Sequence, residues 1–144
     1  MLLGVHHLLR GPLLAALDAM GHGDLLVVAD AEFPAHRLCP AVVDLPGVDA
    51  PRALRALRTV LPVDAAEPLS FMAAPDGWLP VQQELLDAAA EPGAPVERVE
   101  RRAFYDLAAG ARLVVATGEH RPYGNLVLRK GVVGGPGSGA PEGA

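Results

Sequence analysis

M-G-H-G-D-L-L-V-V-A-D-A-E-F-P-A-H, residues 20 to 36, is the stretch on which the organisation of this chain turns. It reads as a helix end, a glycine turn carrying His22, a short buried strand, and an acidic turn closed by Pro34. Gly21 and Gly23 tolerate positive φ, so the backbone can reverse on both sides of His22 and leave the imidazole on a loop. Leu25 to Ala29 is an uninterrupted apolar run, the pattern of a strand covered on both faces. Asp30 follows at its carboxyl end, where sheets covered by helices bind ligands. The stretch is therefore expected to bring an acid-base group and a carboxylate into one neighbourhood.

Outward from this stretch, helix and strand signals alternate. Leu13, Leu14, Leu17 and Met20 mark one helical face over Pro12 to Met20, with proline acceptable at the first helical position. Asp30 to Pro40 reads as irregular, and Ala41 to Leu45 as a strand ended by Pro46-Gly47. Pro51 to Leu61 carries two stripes: Leu54, Leu57 and Leu61 should pack on the sheet, while Arg52, Arg55 and Arg58 should face solvent or another subunit. Leu69 to Ala74 reads as a strand, Pro75-Asp76-Gly77 as a turn, and Pro80 to Ala90 as a helix with Val81, Leu85 and Leu86 inward. V-E-R-V-E-R-R, residues 96 to 102, has a period of three that fits a polar helical turn, yet its place after Pro95 favours a short strand followed by a helix. Arg112 to Thr117 and Asn125 to Leu128 are the last strands. This order points to a sheet with helices on both faces.

The 144 residues suit one domain. Ala, Leu and Val supply most of the 51% hydrophobic content, against only 4% aromatic residues, which fits a helix-and-sheet core and not a disordered chain. A net charge of −5, a pI near 5.4 and twelve dispersed Lys and Arg residues argue against nucleic-acid binding. No apolar run approaches the roughly 20 residues of a membrane span. The apolar N-terminus is broken by histidines and Arg10 and lacks an A-x-A-like cleavage site, so it reads as an amphipathic helix and not an export signal. The single cysteine, Cys39, makes no internal disulfide and no metal framework, and a cytoplasmic protein is expected. Residues 134 to 144, G-G-P-G-S-G-A-P-E-G-A, contain nothing that could anchor a core and should form a flexible tail.

Two segments besides residues 20 to 36 could carry chemistry. A free imidazole titrates near pH 6.5, so His22 could exchange protons at neutral pH. Asp30 could bind a ligand or end a strand. The spacings H-x7-D and D-x5-H linking His22, Asp30 and His36 match no compact metal motif, and no metal is expected. His6, His7 and His120 read as surface residues. Tyr123-Gly124-Asn125 combines a phenol, a glycine and an amide, a set suited to a polyhydroxylated ligand. It reads equally well as a β-turn in which Gly124 supplies the positive φ. Arg101-Arg102-Ala103-Phe104-Tyr105 could open a helix with surface arginines.

Taken together and in order, M-G-H-G-D, D-A-E-F-P-A-H, R-R-A-F-Y, T-G-E and Y-G-N-L-V-L-R-K-G-V resemble the L-fucose mutarotase branch of the RbsD/FucU family, whose other branch is D-ribose pyranase. The resemblance covers about residues 10 to 133. It implies an α/β fold, a three-layer αβα sandwich with a mostly parallel central sheet, with residues 1–133 forming a single sugar mutarotase domain. It further implies a cofactor-free isomerase that interconverts sugar anomers, with His22 as proton donor. The sugar would be held by Asp30, Arg101, Tyr123, Gly124 and Asn125. A ring-shaped homo-oligomer, a decamer with sites near subunit contacts, is implied as well. Two positions depart from the family: Arg102 replaces a usually apolar residue, which leaves the choice between Arg101 and Arg102 open, and Glu32 stands where His or Asn is usual. No residue is marked as the general base. The rival readings are a D-ribose pyranase and a non-catalytic monosaccharide-binding module.

Overall fold

The computed structural model describes residues 1–135; the Gly/Pro-rich stretch from residue 136 onward, where the flexible tail was expected, lies outside the described residues. Among the described residues eleven elements follow one another: α1 (Gly11–Asp18), β1 (Leu25–Ala29), α2 (Ala35–Leu38), β2 (Val42–Leu45), α3 (Ala50–Arg58), β3 (Leu69–Met72), α4 (Pro80–Ala89), β4 (Val96–Val99), α5 (Arg101–Ala109), β5 (Leu113–Thr117) and β6 (Leu126–Arg129). Proline stands in the first turn of α1, α3 and α4, where its missing N–H costs nothing. Asp49 caps α3 by accepting the Arg52 N–H at 2.8 Å. The period-three segment resolves into strand β4 and the start of α5. One element was not expected. Residues 35 to 38 make the single turn α2 inside the segment read as irregular.

The strands form one six-stranded sheet in the order β2-β5-β1-β6-β3-β4. Every pairing is parallel except those of β6, which runs antiparallel to both β1 and β3. Register on β1 sets Val27 beside Val114 on one side and Val127 on the other. Side chains alternate between two cores, as the pleat requires. Leu26, Val28, Leu69, Phe71, Leu126 and Leu128 pack with α1, α3 and α4. Val27, Ala29, Val114 and Val127 pack with α2 and α5, around Phe33 and Phe104. The result is a three-layer αβα sandwich with a mostly parallel sheet.

The arginine stripe of α3 divides. Arg52 and Arg55 are exposed, but the Arg58 side chain is only 13% exposed. Its Nε donates to Ala89 O at 2.7 Å and its Nη2 to Glu91 Oε1 at 2.7 Å. It also donates to Leu61 O. A guanidinium offers five donors in a fixed fork, enough to satisfy carbonyls at the ends of two helices at once. Arg58 is therefore a link between α3 and α4 and not part of a solvated face.

Because all strands but β6 point the same way, their carboxyl ends meet at one edge of the sheet. The loops after β1, β4 and β5, and the segment entering β6, share that edge. The turn before β1, the loop before β3 and the residues after β6 share the opposite one.

Candidate functional site

The loops at the carboxyl edge enclose an open cavity of about 390 Å³. That lies inside the range of about 300–1,000 Å³ typical of small-molecule sites. Asp30 and Glu32 enter it from the end of β1, Met72 from β3, Arg101 and Tyr105 from the first turns of α5, Glu119 and His120 from the end of β5, and Tyr123 and Asn125 from the approach to β6. The position beside an antiparallel strand inserted into a parallel sheet is one where adjacent loops diverge and leave a crevice.

Asp30 and Asn125, 95 residues apart, form a reciprocal pair. The Asp30 N–H donates to Asn125 Oδ1 at 2.8 Å, and Asn125 Nδ2 donates back to Asp30 Oδ2 at 3.0 Å. Glu32 N–H donates to Asp30 Oδ1 at 3.1 Å. Asp30 is buried, and burial pushes its carboxyl above the ordinary value of 3.8; hydrogen bonds from Asn125 and from the backbone of Glu32, Phe33 and Tyr123 pull the other way. Each carboxylate oxygen has lone pairs to spare, so Asp30 can still accept from a ligand hydroxyl.

Tyr123 takes φ +63°, the left-handed region, while Gly124 does not. The turn reading had assigned that conformation to the glycine; what Gly124 supplies is space. A Cβ there would stand 3.0 Å from Glu119 Cγ and 3.1 Å from Val81 Cγ2. The strained tyrosine conformation costs on the order of 1–3 kcal/mol. It sets the Tyr123 hydroxyl 3.5 Å from Arg101 Nη2. Of the two neighbouring arginines, Arg101 lines the cavity and Arg102 does not.

Glu119 was not anticipated. Its side chain is 1% exposed and lines the cavity. Arg121 donates to it from Nε at 2.9 Å and from Nη2 at 3.1 Å. The Ala50 N–H at the start of α3 donates to Oε2 at 3.3 Å. Hydrogen bonds from Arg121 hold the Glu119 carboxyl below its ordinary value against the opposing effect of burial. Arg121 also pairs with Glu84 on α4. Glu119 is thus saturated, and its role is to tie the loop after β5 to α3 and, through Arg121, to α4. His120 is exposed, as read from the sequence, and it also lines the cavity. In the sequence the T-G-E-H-R run carried the only signal for Glu119 and His120, a charged loop just after an apolar strand.

His22 stands apart from all of these. It precedes β1 whereas Asp30 follows it, and five strand residues at about 3.3 Å each separate the two by roughly 16 Å. The expectation of one neighbourhood fails within a single chain, because a strand exits from the edge opposite to the one it enters. Gly23, at φ +84°, makes the turn, and Gly21 has no positive φ. The His22 side chain is 62% exposed, with Nε2 3.2 Å from Asp64 Oδ2. His36 likewise meets its own aspartate, Asp44, at 3.0 Å on the surface. Among the described residues, no three His, Cys, Asp or Glu side chains gather as a metal site, and no helix is long and apolar enough to cross a membrane.

Comparison with known proteins gives a consistent picture. The model of the RbsD / FucU transport protein family matches residues 3–133. An L-fucose mutarotase of Glaesserella parasuis is 44% identical over 140 residues, covering 92% of this chain and 96% of its own. The crystal structure of FucU from Bifidobacterium longum superposes with a TM-score of 0.81 at 37% identity, covering 90% of this chain and 99% of that one. The Streptococcus pneumoniae fucose mutarotase in complex with L-fucose superposes with a TM-score of 0.80 at 28% identity, covering 92% and 99%. With a match this extensive and a cavity in which the separated sequence motifs converge, the chain belongs to the RbsD / FucU family.

Proposed function

We propose that this chain is an L-fucose mutarotase, an isomerase that interconverts the α and β anomers by opening and reclosing the pyranose ring. The observation that carries the reading is the convergence of Asp30, Arg101, Tyr123 and Asn125 on one monosaccharide-sized cavity, in a chain 44% identical to a protein named for that activity. Arg101 and Tyr123 can donate to hydroxyls and Asp30 can accept from them, while the rings of Tyr105 and Tyr123 offer apolar faces to the sugar's C–H groups. Ring opening needs a proton delivered to the ring oxygen and one withdrawn from the anomeric hydroxyl, and neither transfer calls on a cofactor. His22 is the proposed donor.

Since His22 and the cavity lie at opposite edges of the sheet, His22 serves the cavity of another subunit in this proposal. The homo-oligomer would be the decamer that the family resemblance implies. Val60, Val132 and Val133, 43%, 51% and 65% exposed, surround the His22 edge with apolar surface suited to such a contact. A cytoplasmic setting belongs to the same proposal and suits Cys39, a buried free thiol.

Saturation-transfer NMR on L-fucose and D-ribose tests the assignment. Exchange between L-fucose anomers is expected to exceed the buffer rate, and to exceed that of D-ribose. Enhancement confined to D-ribose would move the assignment to a pyranase, and none for either sugar would leave a binding module.

A pH dependence follows from Asp30. Protonation removes the charge that strengthens its acceptance of sugar hydroxyls, so affinity should fall as pH drops through the Asp30 pKa, which lies above 3.8. Its folded pKa is raised, so the ionised carboxyl works against folding and acidification relieves that cost. Binding lost in this window is then not attributable to unfolding driven by Asp30. Calorimetric titration of sugar between neutral and mildly acidic pH checks it; an affinity flat across the window, in protein still folded, would refute it.

A further inference from the structure

We infer that His120 is the general base of the reaction, the group that accepts the proton of the anomeric hydroxyl. The inference rests on the reading of this chain as a mutarotase with His22 as proton donor, and it names the second proton-transfer group that such a reaction requires.

Few groups on the cavity wall can take up a proton. Arg101 is a permanent cation, and Tyr105 and Tyr123 are phenols, a class that keeps its proton at neutral pH. Both oxygens of Glu119 are engaged, Oε1 by Arg121 and Oε2 by Arg121 and the Ala50 N–H. Asp30 accepts the Glu32 N–H on Oδ1 and the Asn125 amide on Oδ2, which pins the carboxylate in one place. Glu32 and His120 remain, both exposed at the cavity. A neutral imidazole is a stronger base than a carboxylate, and general-base catalysis works best with a group that titrates near the working pH.

The chain around His120 is fixed, while among the described residues no hydrogen bond engages its ring. Gly118 N–H donates to Val48 O at 2.8 Å, and a Cβ on Gly118 would stand 2.5 Å from Gly47 N, so the two loops meet as closely as backbones can. Glu119 N–H donates to Thr117 Oγ1 at 3.2 Å, and Glu119 O accepts the Ala31 N–H at 2.8 Å. Arg121 N–H donates to Glu119 Oε1 at 3.1 Å. A buried, fully engaged carboxylate thus anchors the backbone on both sides of the histidine. A rotatable ring on a fixed stem suits the chemistry. The anomeric oxygen occupies a different position in each anomer, and a base locked in one rotamer would serve only one of them.

In the forward half, protonated His22 gives its proton to the ring oxygen as the bond from that oxygen to C1 breaks, its electron pair staying on the oxygen. The anomeric hydroxyl becomes the carbonyl of the open-chain aldehyde and its proton passes to neutral His120. Rotation about C1–C2 presents the other face. On reclosure His22 takes the proton of the attacking hydroxyl and His120 returns its own to the carbonyl oxygen, so both groups end as they began.

His120→Ala in the full chain tests the assignment. Saturation-transfer NMR on L-fucose should show kcat lowered by about 10²- to 10⁴-fold, with KM changed by less than about twofold, as for an interaction made in the transition state alone. The cavity is open, so free imidazole should restore part of the exchange, beyond what imidazole achieves in buffer without protein. An unchanged kcat in the folded variant overturns the inference. So does a raised KM at unchanged kcat, which would make His120 a sugar contact. A kcat loss that imidazole does not restore, matched by an equal loss in Glu32→Gln, would hand the role to Glu32 and overturn it too. No exchange above the buffer rate in the unmodified protein would instead sink the mutarotase reading itself, which keeps the two failures distinct.

Discussion

His22→Ala is expected to lower the rate of L-fucose anomer exchange by about 10²- to 10⁴-fold, the usual worth of one positioned proton transfer, and to leave the fold intact. The side chain is 62% exposed and its single hydrogen bond is to Asp64, so its removal should cost no more than about 0.5 kcal/mol, as for ordinary surface substitutions. Sugar affinity should persist, because the residues that would hold the hydroxyls sit at the other edge of the sheet. Saturation-transfer NMR gives the rate and calorimetry the affinity. The separation of His22 from the cavity adds a sharper test. Subunits carrying His22→Ala and subunits carrying Asp30→Ala should each be inactive alone, yet regain exchange when reassembled together, because some sites would then pair an intact donor with an intact cavity. Failure of the mixture to regain activity, with mixed assembly verified by mass, would argue against a shared site. Wild-type exchange in His22→Ala would remove His22 from the mechanism.

The second large effect concerns stability. Arg121→Met is expected to destabilise the protein by about 1–3 kcal/mol, the usual cost of leaving a buried polar group short of its hydrogen-bond partners; the Arg121 side chain is itself 39% exposed, so water screens part of the pairing. Glu119 is 1% exposed, and without Arg121 only backbone N–H groups would remain to answer its charge. The pH dependence carries the diagnosis. In the intact protein the Glu119 carboxyl titrates below its ordinary value. Its contribution is therefore fully present above the unfolded pKa and is lost as pH falls through the folded one. In the variant only the Ala50 and residue-121 backbone N–H groups still oppose burial, so that pKa rises and acidification should relieve the penalty. Denaturant unfolding at neutral and mildly acidic pH should show the gap between variant and parent narrowing as pH falls; a constant gap would mean that the loss is one of packing and not of charge.

Much of this architecture could be read in advance because its signals are local. Apolar runs at Leu25 to Ala29 and Arg112 to Thr117 declared buried strands, and proline placed the starts of three helices. The four residues of α2 are too few to display a period, and Pro34 before them looked like a breaker. Arg58 kept perfect step with Arg52 and Arg55, and only the positions of Ala89, Glu91 and Leu61 reveal why it turns inward. The cavity residues Asp30, Arg101, Tyr123, Gly124 and Asn125 could be named from separated motifs, and all but Gly124 line the cavity itself. Glu119 and His120 could not be, since a charged loop in sequence does not disclose which carboxylate is roofed by an arginine. Nor did adjacency in sequence convey distance: the eight positions from His22 to Asp30 include a whole strand, and a strand carries its two ends as far apart as the chain allows.

The reversed direction of β6 has a consequence for how this molecule can change. A single rod of four residues leaves the cavity segment at one end and at the other runs into Lys130, whose backbone bonds the turn that carries His22. Any slip, twist or lengthening of that rod displaces both ends together. Tolerance for substitution along it should accordingly be judged twice, once for each end. The loops after β1 and β5 are tied to each other by the Ala31 N–H to Glu119 O bond, and β6 behaves as a gauge block that sets the spacing between the cavity segment and the turn that carries His22.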